Sequence, residues 1–235
     1  MLEISSFDFS YGSSDRSFSL HVEGFVVPRG SFVYLQGPSG CGKSTLMNLL
    51  GGVIHSGIGG MCRKIFPEIG YIMHESTLLP WSSVRKNLKI EELLRQKSCD
   101  RRKFEESLVA FGLSADTGDL FPSQLSLGMR QRVEIAKALA FDVDLLLLDE
   151  GFSGIDSENK RSVMETLWQG VRRSNFSVVA TTHQITDIMM TGQIVYCFGD
   201  GVILKKVQLP GCVQDRLRLE SVELAAMAVQ EGLLF

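Results

Sequence analysis

Apolar and polar residues alternate along LEISSFDFSY (2–11) and again along SFSLHVEGF (17–25). That period of two predicts two half-buried strands around a polar turn at Gly12-Ser13-Ser14-Asp15. FVYLQ, Phe32 to Gln36, is a short unbroken apolar run of the buried-strand type, and GPSGCGKST follows it at once. LMNLLGGV (46–53) reads as a helix stopped by its glycines. KIFPEIGYIM (64–73) reads as one or two strands.

From Glu75 the pattern changes. SVRKNLKIEELLRQK (83–97) and RRKFEESLVAFGL (101–113) are charged and helix-periodic, separated by Ser98-Cys99-Asp100. PSQLSLGMRQRVEIAKALAF (122–141) opens as a polar turn and continues as an amphipathic helix. Residues 75–140 are therefore expected to form a mostly helical lobe inserted into an α/β core made of residues 1–74 and 141–235. The core resumes at DLLLLDE (144–150), an apolar run too short for a helix and suited to a fully buried parallel strand. SENKRSVMETLWQGVRRS (157–174) is a helix with an acid near its start and arginines at its end, matched to the helix dipole. FSVVATTH (176–183) is a further buried strand. QIVYCFGDGVILKKV (193–207) predicts a hairpin turning at Gly199-Asp200-Gly201. From Val213 onward apolar residues at helical spacing predict a closing helix, so the 235 residues form a single domain.

Composition narrows the function classes. A net charge of −3 gives no basic stripe for nucleic acid. No apolar run approaches the ~18 residues of a membrane span. The N-terminal MLEISSFDFS lacks the basic and apolar regions of a signal peptide, so a cytoplasmic protein is expected. The five cysteines, Cys41, Cys62, Cys99, Cys197 and Cys212, are scattered and form no CxxC pair, which fits a reducing compartment.

Gly37-Pro38-Ser39-Gly40-Cys41-Gly42-Lys43-Ser44-Thr45 fits G-x-x-x-x-G-K-[ST] between a buried strand and an apolar helix. Its glycines let successive N–H groups turn inward, and with the helix N-terminus they form an anion site for phosphates. Lys43 is expected on the β- and γ-phosphates, Ser44 on Mg²⁺ and Thr45 near the α-phosphate. The acids closing the DLLLLDE strand suit the same site. Asp149 would hold Mg²⁺, and Glu150 would face a water in line with the γ-phosphate as general base.

Leu125-Ser126-Leu127-Gly128-Met129-Arg130-Gln131-Arg132-Val133 lies between these two motifs at a turn-to-helix boundary. In that order it resembles the LSGGQ signature of ATP-binding cassette (ABC) ATPases, and SLGMRQRVEIAKALA looks most like importer members carrying LSGGMRQR. The resemblance spans nearly the whole chain. It implies an α/β fold of the P-loop NTPase (RecA-like) type, with an N-terminal antiparallel β subdomain and an inserted helical subdomain. It also implies that Tyr11 stacks on adenine, that the loop Ser153-Gly154-Ile155-Asp156 crosses a dimer interface with Asp156 as its acid, and that His183 senses the γ-phosphate. Ser126 and Gly128 would cover the γ-phosphate bound by a second copy, so that two ATPs are sandwiched in a two-fold homodimer.

The sequence departs from the family pattern at two site positions. His74 stands where a glutamine would help hold Mg²⁺ and position water, and Mg²⁺ prefers oxygen. Leu127 replaces the first signature glycine, where a side chain could crowd the partner's nucleotide. Gly151 also replaces the usual proline. The implied partners are a membrane permease, docked near Leu78, Leu79 and Trp81 as exposed apolar residues, and a solute-binding protein, with the chain peripheral on the cytoplasmic face of the membrane. LLPW with the GMRQR run resembles ATPase subunits for nitrate, sulfonate, taurine and thiamine-precursor uptake. Two other readings share the motifs: the ATPase of an exporter or lipid-handling complex, and a regulatory cassette that hydrolyses ATP slowly or not at all.

Overall fold

Residues 1–11 and 18–209 are described in the computed structural model. β1 (Leu2–Tyr11) and β2 (Phe18–Val27) pair antiparallel. β3 (Phe32–Gln36) leads into α1 (Lys43–Gly51), which ends on Gly52 in the left-handed conformation. α2 (Gly57–Ile65) and β4 (Ile69–Ile72) follow. Helices then take over: α3 (Val84–Arg95), α4 (Arg101–Ala110), two short 3₁₀ turns at 115–119 and 122–124, and α5 (Leu127–Leu139). β5 (Leu145–Leu148), α6 (Ser157–Ser174), β6 (Ser177–Thr181) and α7 (Ile185–Thr191) precede the hairpin β7 (Ile194–Gly199) and β8 (Val202–Gln208). The hairpin turns through Asp200 and Gly201, both at positive φ.

The strands form one sheet in the order β1-β2-β8-β7-β3-β6-β5-β4. The stretch β7-β3-β6-β5-β4 is parallel throughout. The sheet separates two hydrophobic cores, and alternation along each strand feeds both. Val33, Leu35, Leu145, Leu147 and Val179 face the side covered by α1 and α2. Phe32, Tyr34, Leu146, Leu148, Val178 and Ala180 face the side shared with α5, α6 and the helices between β4 and β5.

The structure departs from the sequence expectations in four places. The segment 57–65 is helical, so Lys64 and Ile65 end α2 and only Ile69–Ile72 is strand. α7 has no counterpart among the expected elements. α5 is not amphipathic: Gln131 to Ala138 are all buried, because the helix is wedged between β4 and the other helices. It packs tightly on β4 at Gly70, where a Cβ would lie 3.0 Å from that of Ala138. Leu78 is buried at 6% exposure in the same core, and Leu79 is half-buried, so Trp81 alone of the expected docking trio stands out, at 72% exposure. The expected turn at 12–15 and the closing helix from 213 lie outside the described residues.

Candidate nucleotide site

Open parallel sheets bind ligands beyond the carboxyl ends of their strands. Here β3 ends at the phosphate loop, β4 before His74, β5 at Asp149 and Glu150, and β6 before Thr182 and His183, all on one edge. The topology thus gathers four of the sequence motifs.

The loop is shaped by close backbone packing. Gly37 has φ +156, and a Cβ there would come within 2.4 Å of the Phe198 carbonyl oxygen, so only glycine fits. Gly42 caps α1 in the left-handed region, leaving the first N–H groups of the helix free of helical partners. Ser44 and Thr45 occupy that first turn. Lys43 is buried, and its Nζ donates to the carbonyl oxygens of Gly37 and Pro38, each at 2.8 Å, with the Cys41 sulfur at 3.6 Å. The ammonium is folded over the loop, where an incoming phosphate would take the place of those carbonyls. Pro38, Ser39 and Gly40 form the outer, exposed rim. Tyr11 ends β1 opposite Phe18, and its side chain lies outside the described residues.

At the end of β5, Asp149 is buried and Glu150 sits at φ +54. A left-handed backbone at a residue other than glycine costs about 1–2 kcal/mol. Thr181 on β6 holds this geometry: its hydroxyl accepts from the Glu150 N–H at 2.7 Å and donates to Asp149 Oδ1 at 2.9 Å. The Glu150 carboxylate lies between two imidazoles. His183 Nε2 is 3.4 Å from Oε1, and His74 Nε2 is 3.5 Å from Oε2. His74, expected on the metal, thus stands against the candidate base. Tyr71 on β4 donates to Asn48 of α1 at 3.0 Å, and burial, with the nearby Asp149 charge, pushes its phenol pKa up.

The signature stretch is tied to the loop after Glu150 within the same chain. Ser126 caps α5 by accepting from the Met129 N–H at 3.2 Å. A Cβ on Gly128 would meet the Gly154 carbonyl oxygen at 2.6 Å, and a Cβ on Gly154 would meet Leu127 Cγ at 2.4 Å. Gln131 accepts from the Gly154 N–H at 3.0 Å and reaches the Glu150 carbonyl and Ser153 hydroxyl at 3.4 Å. Leu127 itself is 55% exposed. Asp156 caps α6, and hydrogen bonds from Asn159 hold its carboxyl below the usual aspartate range.

Sequence reasoning passed over several anchoring residues. Glu134 on α5 is buried, and its Oε1 accepts from the Thr77 N–H at 2.6 Å, the Thr77 hydroxyl at 3.0 Å and the Ser76 hydroxyl at 3.1 Å. It fastens the loop that follows His74 to the signature helix. Asn87 on α3 staples the turn behind Trp81: it accepts from the Leu79 N–H at 2.7 Å and donates to the carbonyls of Leu79, Ser82 and Ser83. A charged residue inside a helix read as amphipathic was the one local signal for Glu134.

The chain is similar to known proteins. A family model described as "ABC transporter" matches residues 20–153. The uncharacterized ABC transporter ATP-binding protein YtlC of Bacillus subtilis is 31% identical over 214 residues, 86% of this chain and 77% of that protein. The aliphatic sulfonates import ATP-binding protein SsuB of Zymomonas mobilis is 34% identical over 194 residues, 79% of this chain and 78% of that protein. The nitrate import ATP-binding protein NrtC of Synechococcus elongatus is 32% identical over 209 residues, of which it is much the longer: the match covers 83% of this chain but 31% of that protein. A dimeric ATP-binding cassette solved in a post-hydrolysis state with ADP and Pi shares the fold, with a TM-score of 0.76 at 23% identity over 90% of this chain and all of that one. The fold is accordingly the α/β P-loop NTPase type. With the family match running over residues 20–153, from β2 through the acids at the end of β5, this chain belongs to the ABC transporter family.

Proposed function

We propose that this chain is the ATP-binding and ATP-hydrolysing subunit of a transporter that drives uptake of a small solute through a separate permease. The observation that carries the reading is the Glu150 carboxylate, held between His183 and His74 on the sheet edge where the phosphate loop opens. Each residue has a part that follows from its place. The α1 N-terminus and Lys43 bind the phosphates of ATP, with Ser39 to Thr45 supplying the cradle. Glu150 takes a proton from water in line with the γ-phosphate, and His183 orients that carboxylate while contacting the same phosphate. Mg²⁺ fits the oxygen donors of Ser44 and Asp149, where it would offset the phosphate charge. His74, a nitrogen donor, fits Mg²⁺ poorly, and its position favours a role on Glu150.

Ser126 and Gly128 would close over the ATP of a second copy, and Asp156 would lie at the crossing between the two. Among the described residues no helix is long and apolar enough to cross a membrane. Relatives named as import ATP-binding proteins support a separate permease and a peripheral, cytoplasmic place for this chain. The docking surface we infer is a cleft of about 650 Å³ between β4, α3 and α5, whose lining includes Tyr71, Thr77, Leu79 and Leu94. Trp81 stands exposed on the loop that Asn87 staples beside it. The relatives named for nitrate and aliphatic sulfonate import support small-solute uptake, with a binding protein delivering the solute.

Mg²⁺-ATP turnover of the purified chain over a concentration series, beside Glu150→Gln, tests the reading. Turnover should rise more than linearly with protein. The variant should lose about 10²-fold or more in kcat, as expected for removal of a general base, and should accumulate as an ATP-bound dimer. ATP binding with no turnover in the parent would instead favour the slow regulatory cassette, with exposed Leu127 as the first suspect.

A further inference from the structure

A buried ion pair lies directly behind His183. Lys160 Nζ is 2.8 Å from Asp187 Oδ1, with Lys160 at 8% and Asp187 at 3% exposure. Buried charges persist where they are paired and hydrogen-bonded, and these two are. The Thr182 hydroxyl donates to Asp187 Oδ2 at 2.6 Å and accepts from the Gln184 N–H at 3.0 Å. Lys160 Nζ also donates to Gln184 Oε1 at 2.8 Å. The residues on both sides of His183 are therefore gripped by one pair. Lys160 sits in the first turn of α6, and its N–H donates to the Asp156 carbonyl at 2.8 Å. A cavity of about 140 Å³ lined by Glu150, Lys160, His183 and Asp187 places the pair and the candidate base on common walls.

Resting on the reading of this chain as an ATPase, we propose that the Lys160–Asp187 pair is a positioning strut that couples the loop ending at Asp156 to the imidazole of His183. A partner cassette pressing on that loop moves the start of α6. Lys160 carries the displacement to Thr182 and Gln184, so the placement of His183 against Glu150, 3.4 Å apart here, follows the position of the loop. Neither Lys160 nor Asp187 touches ATP in this scheme.

The test compares Lys160→Met, Lys160→Arg and the nearly isosteric Asp187→Asn with the parent full chain. Turnover is read over an ATP series, and histidine signals are read by NMR on ¹⁵N-histidine protein. The chain has four histidines, so His183 is assigned with one His183→Gln sample. Misplacing a catalytic group by about 1 Å costs about 10²-fold, so Lys160→Met and Asp187→Asn should lower kcat about 10- to 100-fold with KM nearly unchanged. Their His183 signal should shift or broaden, and Lys160→Arg should restore both readouts. A kcat within about twofold of the parent in both charge-removing variants, or an unchanged His183 signal, overturns the strut. If Lys160→Met does not fold, Asp187→Asn decides. A parent that hydrolyses no ATP defeats the reading as an ATPase, and the His183 signal then still decides the strut.

Discussion

Leu127, a departure from the signature motif, shares its space with Gly154. The Leu127 side chain fills the space where a Cβ on residue 154 would stand, 2.4 Å from its Cγ. Gly154 is not at positive φ among the described residues, so its backbone accepts alanine. Two consequences follow, of different size. In the parent, Gly154→Ala overpacks the contact and should destabilise by about 1 kcal/mol, the low end for such changes because half-exposed Leu127 can swing outward. In a Leu127→Gly background the same alanine still lies 3.0 Å from Gln131 Oε1, so relief of the Leu127 clash should bring its cost to within about 0.5 kcal/mol of zero, the loss of unfolded-state freedom offsetting what remains. Urea midpoints of the four proteins in a double-mutant cycle check this, and strict additivity would mean the two residues do not share space.

At the level of elements, α5 is the hub. Gln131 and Leu127 join it to the loop after β5, and Glu134 joins it to the loop after β4. Lys137 pairs with Glu91 of α3 at 2.7 Å, and Arg95 reaches the same carboxylate at 2.8 Å. Burial alone would raise the Glu91 pKa, but Lys137 and Arg95 outweigh it and hold the carboxyl below the usual glutamate range. A depressed folded-state pKa means stability that is full above the unfolded value of about 4.3 and is lost as pH falls through the folded one. Glu91→Gln should therefore lower the thermal midpoint at pH 7, with a loss of stability of up to about 3 kcal/mol, the low end for breaking a buried pair because Glu91 keeps some exposure. The gap between parent and variant should narrow below pH 4. A gap that stays constant down to pH 3 would show that the charge of Glu91 is not what holds α3 to α5. None of this was legible in the sequence. The helices α3, α4 and α6 were, because their charged faces keep a helical period to solvent. α5 was misread as amphipathic because its charged residues are buried against partners distant in sequence. α2 was missed because Gly57, Gly59 and Gly60 mask any helical pattern, and Ser56 offers no side-chain cap. Leu78 was read as a docking residue because nothing local shows that Glu134 turns its loop inward.

The whole molecule rests on a sheet whose central strands serve two cores at once. That much was legible: unbroken apolar runs such as Leu145–Leu148 mark strands buried on both faces, and each run ends in a motif that the sheet edge then collects. What the runs cannot show is strand order, which decides that β3 lies between β7 and β6 and puts Thr181 beside Asp149. The sharing of strands has a thermodynamic consequence. Leu147 belongs to the core under α1 and α2, and its neighbour Leu146 belongs to the core shared with α5 and α6. If the sheet couples the cores, damage to either should loosen both. Leu146→Ala and Leu147→Ala should each cost about 2–5 kcal/mol. Both should shift one transition, read coincidently by far-ultraviolet circular dichroism and by tryptophan fluorescence. Of the two tryptophans, Trp168 packs against the core on the α5 and α6 side, so its fluorescence reports that side, whereas Trp81, at 72% exposure, is already in water and changes little on unfolding. The decisive comparison is Leu147→Ala, whose damage is on the other side. A fluorescence midpoint that falls with the circular dichroism midpoint means the cores melt together, whereas one that stays at the parent value means the helical side folds independently of the sheet's other face.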